Sequence, residues 1–211
     1  MAQPPPPPIE ARWSSQDAGF RYRTSRWKSE RAAGRDFRLL QRLLKRYQGP
    51  GPIQDVLDLP CGTGRLHTGL SQVGRVTGVD ISLSMLQARA QGRAIQGSAL
   101  QLPLRDKTFD LVVSCRLLHH LDDSARRQAI LAEYLRVGRG LVLASFWDRA
   151  CWHAWRRRMG LRRARHPDGR IAISRDALIA ECAAAGGQVL GFSHSLRGIS
   201  PQAWVAIRPR S

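Results

Sequence analysis

Apolar residues recur along this chain at two different periods. Between about residues 30 and 47, Phe37, Leu39, Leu40, Leu43 and Leu44 follow helical spacing beneath an arginine-rich face, and the breaker Gly49-Pro50-Gly51-Pro52 ends that helix. Beyond the breaker, strand and helix alternate. The runs at 53–59, 74–80, 93–97, 109–115 and 140–146 read as strands, and the continuous apolar centre of the fourth is that of a strand covered on both faces. Between them the pattern predicts helices over 64–73, after a Ser82 cap carrying Leu83, Met85 and Leu86, and over 122–137 with Asp122 and Asp123 favouring its start. A further helix follows a Ser174 cap to Ala185 and stops at Gly186 and Gly187. Two closing strands, 188–195 and 202–208, are placed to pair as a hairpin at the sheet edge. Strands separated by helices require right-handed crossovers, hence an α/β fold with a parallel sheet and helices on both faces.

Composition limits the class. With 211 residues the chain holds one well-packed domain, and 43% hydrophobic with 24% charged residues excludes a fibrous or wholly disordered chain. The charge is unusual: 34 Lys and Arg against 16 Asp and Glu leave +18, which raises the weight of a polyanionic partner. That excess is uneven, with net +7 over 1–50, +3 over 51–145 and +8 over 146–211, and nearly all of it is arginine. The chain divides into a proline-rich, disordered tail (1–11), a basic leader with a helix and a lid role (12–50), and the main domain (51–211), which carries a basic insert rich in Trp and Arg at 147–173. Cys61, Cys115, Cys151 and Cys182 show neither metal-ligand nor disulfide spacing, so no metal is expected. No apolar run is long enough to span a bilayer and no secretory leader is present, so the expected location is cytoplasmic.

In an open parallel sheet, ligands sit beyond the carboxyl ends of the strands. There the first strand is followed by Asp58-Leu-Pro-Cys-Gly-Thr-Gly-Arg65, whose Gly62 and Gly64 allow a tight turn and close backbone approach. Asp80 ends the second strand, where a carboxylate accepts from two ribose hydroxyls. These two signals specify a nucleoside cofactor. A dinucleotide loop has a third glycine where this chain has His67, and Asp58 would repel a pyrophosphate while suiting a cationic amino-acid moiety. S-adenosylmethionine has a cationic sulfonium and ammonium and no phosphate.

The segments VLDLPCGTGR, VTGVDIS, ALQLPLRDKTFDLVVS and RLLHHL, in that order between Val56 and Phe146, resemble the class I S-adenosylmethionine-dependent methyltransferases, in the subgroup similar to ubiquinone and menaquinone C-methyltransferases. The resemblance implies a Rossmann-like, doubly wound, seven-stranded, mostly parallel sheet whose last strand runs antiparallel. It implies S-adenosyl-L-methionine as cofactor and S-adenosyl-L-homocysteine as product. Asp58, Pro60, Cys61, Gly62 and Gly64 would surround the methionine end and Asp80 the ribose; Ile81, Met85, Ser98 and Ala99 would border the adenine, with Ser114 close to the methyl group. Two residues depart from the family pattern: Pro60 replaces a glycine and removes an N–H, and Ser98 replaces an acidic residue that accepts from the adenine amino group.

The acceptor side is expected from His119 and His120 as base or hydrogen-bond partners, or else as packing residues, and from Arg116, Trp147, Trp152, Trp155 and Tyr22 as substrate contacts. Three functions remain open: a methyltransferase for a small or lipid-like, anionic molecule; an RNA methyltransferase using the basic flanks; and a catalytically silent cofactor-binding protein. The Trp/Arg insert also suits peripheral contact with an anionic membrane. Sequence leaves the oligomeric state open.

Overall fold

A computed structural model describes residues 29–89, 91–151, 170–194 and 202–210. Its elements are α1 (Ser29–Tyr47), β1 (Asp55–Asp58), α2 (His67–Leu70), β2 (Arg75–Asp80), α3 (Leu83–Gln87), β3 (Arg93–Gln96), β4 (Phe109–Ser114), a 3-10 turn (Leu118–His120), α4 (Ser124–Val137), β5 (Gly138–Trp147), α5 (Arg175–Ala184), β6 (Gly187–His194) and β7 (Gln202–Pro209). They build one seven-stranded sheet in the order β3-β2-β1-β4-β5-β7-β6. The pairs from β3 through β5 are parallel, and β7 runs antiparallel to both β5 and β6. The two closing strands do pair, but β7 inserts beside β5 and leaves β6 at the edge.

Alternation along the central strands assigns side chains to two cores. Val56, Leu111, Val113, Leu141, Leu143 and Trp204 point to one face, where Leu39, Leu40, Leu43 and Leu44 of α1 cover them. Leu57, Val112, Val142, Ala144, Val205 and Ile207 point to the other and meet Ile130, Leu131, Tyr134 and Leu135 of α4 and Leu178 and Cys182 of α5. Burial on both faces explains why these strands read as unbroken apolar runs. The basic leader's helix is thus part of the sheet's cover.

Local rules set the element ends. Ser82 and Ser174 cap α3 and α5 through hydrogen bonds from Met85 N and Ala177 N. Asp123 caps α4 by accepting from Ala125 N, so that helix begins two residues later than the sequence pattern predicts. Helix α2 is much shorter than the expected 64–73, because Gly64 lies at φ +84°, outside helical space, and turns continue to Leu66.

Candidate active site

Beyond the carboxyl ends of β1, β2, β4 and β5 lies a cavity of about 330 Å³. One end is formed by Asp58, Pro60, Cys61 and Gly62 of the glycine loop, with Asp80, Ile81 and Met85 after β2 and Ser98 and Ala99 after β3. The other end is formed by Arg116, His119 and His120 after β4 and Trp147 at the end of β5. Trp152, Trp155 and Tyr22 lie outside the described residues.

The loop's shape depends on two glycines. Gly62 sits at φ +52°, and a Cβ there would meet nothing within 4 Å, so its conformation rather than its space demands glycine. Gly78 in β2 is a matter of space: a Cβ would lie 2.9 Å from Cys61 Sγ, so its absence lets the loop rest on the sheet. Cys61 N completes the seam by donating to Val79 O at 2.9 Å. Burial pushes the Cys61 thiol up to about 12, which makes it an inert packing group.

Asp80 is held by this same loop. Gly62 N donates to its Oδ2 at 2.7 Å and Ser82 N to its Oδ1 at 2.9 Å, and each oxygen keeps lone pairs for a ligand. Burial raises its pKa, against the lowering effect of those N–H groups. Asp58 is 1% exposed, and its Oδ2 has no hydrogen-bond partner among the described residues. Burial moves its pKa up to about 7, with Arg89 and Arg65 pulling the other way and Asp80 adding to the rise. An unsatisfied buried carboxylate oxygen beside two glycines fits the ammonium end of S-adenosylmethionine, and Asp80 fits its ribose. The residues present therefore suit this cofactor.

Two of the expected residues do not line the cavity. Ser114 is fully buried and does not border the cavity; its hydroxyl shares a 2.7 Å hydrogen bond with Tyr134 Oη and ties β4 to α4. Gly64 also stands off the cavity wall, and a Cβ there would meet Arg89 Nη1 at 3.2 Å. Arg89, Asp36, Arg126, Arg170 and Gln202 are site residues or supports that the motifs did not indicate. The signal for Arg126 was its helical spacing to Ile130, since both side chains line the cavity from α4. The Asp36–Arg65 pair, at 2.7 Å, links α1 to the glycine loop across 29 positions and leaves no local trace in the sequence.

At the second end, His119 is 2% exposed, and its Nδ1 is without a partner among the described residues. Burial drives its pKa well below the ordinary histidine value, and the neighbouring His120, Arg170 and Arg116 add to the effect. Its ring stacks on Trp147 at 5.2 Å, and Arg170 sits 5.3 Å from the same indole. Ile171 N donates to His119 O at 2.8 Å, so the histidine turn is tied to the chain before α5. Arg116 occupies φ +69°, a left-handed conformation that costs a non-glycine residue about 1–3 kcal/mol. Ser145 Oγ holds it there by accepting from Arg116 N at 2.7 Å. Among the described residues no group of three or more His, Cys, Asp or Glu is placed to hold a metal ion.

Comparison with known proteins adds the family. Residues 57–141 match the family described as "Methyltransferase domain". Demethylmenaquinone methyltransferase of Thermobifida fusca is 36% identical over 101 residues, covering 43% of each chain. The tRNA (carboxymethyluridine(34)-5-O)-methyltransferase of Arabidopsis thaliana is 31% identical over 96 residues, covering 44% of this chain and 24% of that one. The chain thus spans less than half the length of the curated relatives it matches. Among solved structures, magnesium protoporphyrin IX methyltransferase from Synechocystis PCC 6803 with bound SAH superposes with a TM-score of 0.67 at 16% identity, over 87% of this chain and 86% of that one, a likeness of fold. Residues 57–141, which hold the glycine loop, Asp80 and the histidine turn, are thus similar to the methyltransferase domain family, and the strand order agrees with that likeness.

Proposed function

We propose that the chain transfers a methyl group from S-adenosylmethionine to a small or lipid-like molecule carrying an anionic group, leaving S-adenosylhomocysteine. The observation that supports this most is one cavity lined both by Asp58 and Asp80 after β1 and β2 and by Arg116, His119 and His120 after β4. When bound, the cofactor supplies an electrophilic methyl group on a sulfonium. Asp80, pinned by Gly62 N and Ser82 N, offers its remaining lone pairs to ribose hydroxyls. Asp58 meets the ammonium, Ile81 and Met85 border the adenine from one side, and Ser98 and Ala99 from the other. Methyl transfer depends chiefly on alignment, which supplies up to roughly 7–11 kcal/mol of barrier reduction in favourable systems. His119, held neutral by burial and neighbouring cations, is the hydrogen-bond partner or proton acceptor for the incoming nucleophile, with His120 beside it.

An RNA acceptor is the second reading. It is favoured by the +18 charge and by the similarity to a protein named as a tRNA methyltransferase. No helix among the described residues is long and apolar enough to cross a membrane. The insert at 147–173 is proposed as the acceptor-facing segment, through Trp147 and Arg170.

Calorimetric titration with S-adenosylmethionine, S-adenosylhomocysteine and NADH tests the cofactor. Binding of the first two and not the third is expected, and Asp80→Ala should weaken it about tenfold or more, since hydrogen bonds to a charged group are lost. Binding of NADH alone, or an unaffected Asp80→Ala variant, would refute the assignment.

A further inference from the structure

The charged residues that line the cavity are unevenly placed, with Arg65 the one lining cation of the glycine loop. Among the described residues the carboxylates that line it are Asp58 and Asp80, both at the glycine-loop end. Arg116, Arg126 and Arg170 line the other end, and Leu117, Leu121 and Ile130 supply apolar wall beside them. Arg116 Nη2 makes a 3.5 Å ion pair with Asp36 Oδ2, an oxygen that also accepts the shorter 2.7 Å contact from Arg65. Arg116 keeps about a third of its side chain exposed at the cavity, while its backbone is held in the left-handed region by Ser145. Strain maintained by a dedicated hydrogen bond at a ligand cavity is a feature of function more than of stability. Within the same wall, the buried His119 carries an Nδ1 without a partner among the described residues, in the positive field of Arg116 and Arg170.

Resting on the methyltransferase reading, we propose that the acceptor is a small apolar oxyacid whose carboxylate or phosphate is docked by Arg116, with Arg126 and Arg170 beside it, and whose apolar body lies against Leu117, Leu121 and Ile130. A guanidinium fork matches the planar geometry of such a head group. The same field disfavours an acceptor bearing an amine. Arg126 lies on α4 and Arg170 just before α5, so the basic end forms only when these two elements and the β4 loop come together.

The test uses the full chain saturated with S-adenosylhomocysteine, titrated calorimetrically with benzoate, octanoate and phenyl phosphate, with benzamide and octanamide as neutral counterparts. At least one acid should bind about tenfold tighter than its neutral counterpart, and preference between benzoate and phenyl phosphate identifies the head group. Arg116→Gln should lose that binding by about tenfold or more while S-adenosylhomocysteine still binds. Arg116→Gly removes the side chain and relieves the backbone, so it should lose acid binding with a melting temperature unchanged or higher, which a merely structural arginine would not give. Equal binding of amides and acids overturns the proposal, as does failure of every acid to bind the loaded protein. Parallel loss of S-adenosylhomocysteine binding in the Arg116 variants also overturns it, because the arginine would then serve the cofactor. Tight binding of a single-stranded RNA oligomer at physiological salt, with none of the acids binding, overturns it in favour of a polynucleotide. A wild-type protein that binds no S-adenosylhomocysteine refutes the methyltransferase reading itself, a separate outcome.

Discussion

Glu181→Leu is expected to be among the most damaging single substitutions outside the site. Glu181 of α5 and Arg127 of α4 are 4% and 8% exposed and meet as a two-point pair, with Arg127 Nε 2.9 Å from Glu181 Oε2 and Nη2 on Oε1. Ser124 Oγ also donates to Glu181 at 2.8 Å, and Arg127 Nη1 donates to Leu121 O at 2.7 Å, on the cavity wall. Removing the carboxylate leaves a buried guanidinium with one remaining acceptor, at a cost of about 3–5 kcal/mol. For a chain of this size that is a fall of roughly 6–20 °C in melting temperature. The Arg127→Met, Glu181→Leu double variant removes both charges and fills the space with apolar atoms. It should recover most of the loss, retaining about 1–2 kcal/mol for the Leu121 carbonyl that loses its donor, while the exposed Ser124 hydroxyl turns to water. Urea unfolding of the wild type, both singles and the double completes the cycle. A Glu181→Leu cost below about 1 kcal/mol, or a double variant no better than the single, would refute the view that this pair is buried and mutually dependent.

The remaining expectations concern the site. Asp58 has a folded pKa of about 7, above its unfolded value, so its contribution to apoprotein stability is complete below about pH 4 and is lost as pH rises to 7. Asp58→Asn should therefore match the wild type in acid and exceed it by a few kcal/mol above pH 7, as read by unfolding curves across pH; parallel curves would contradict the burial argument. The same group makes binding of the cationic cofactor strengthen with pH through 7, a dependence that Asp58→Asn should flatten in calorimetry. Gly78→Ala sets a methyl group 2.9 Å from Cys61 Sγ and should cost about 1–3 kcal/mol while weakening S-adenosylhomocysteine binding through the displaced loop. Loss of stability with unchanged binding would separate the loop's position from the sheet contact.

The sheet was legible because its signals are local. Each strand buried on both faces is a run of apolar residues, and the glycine loop and Asp80 lie where strands end, so periodicity and turn chemistry placed β1 through β5 within a few residues. The position of β7 between β5 and β6 depends on a non-local pairing, Val142 with Ile207 and Phe146 with Ala203, which no window of sequence contains. Ser114 illustrates the opposite difficulty. It ends a strand next to the site, as a ligand-contacting residue would, yet strand alternation turns its hydroxyl into the core to meet Tyr134. Asp36 and Arg89 were invisible for a third reason: their roles are electrostatic and act through space on Arg65, Asp58 and the glycine loop.

The large positive charge takes on a narrower meaning once the acids are located. Asp36, Asp55, Asp106, Asp110, Glu133, Asp148 and Glu181 are each engaged by an arginine within the fold, so seven of the chain's 16 acidic residues are spent on internal pairs. Among the described residues, arginines outside those pairs include the exposed Arg38, Arg42 and Arg46 and the cavity-lining Arg126 and Arg170, and the two populations behave differently. Exposed charge attracts polyanions over a distance that salt cuts to about 10 Å at 0.1 M, so binding that rests on it fades as ionic strength rises. Charge at the inner end of the cavity, beside the buried His119 and Trp147, is screened far less. Salt dependence therefore discriminates between the two acceptor classes: an acid docked on Arg116 survives physiological salt, whereas attraction to the basic flanks alone does not.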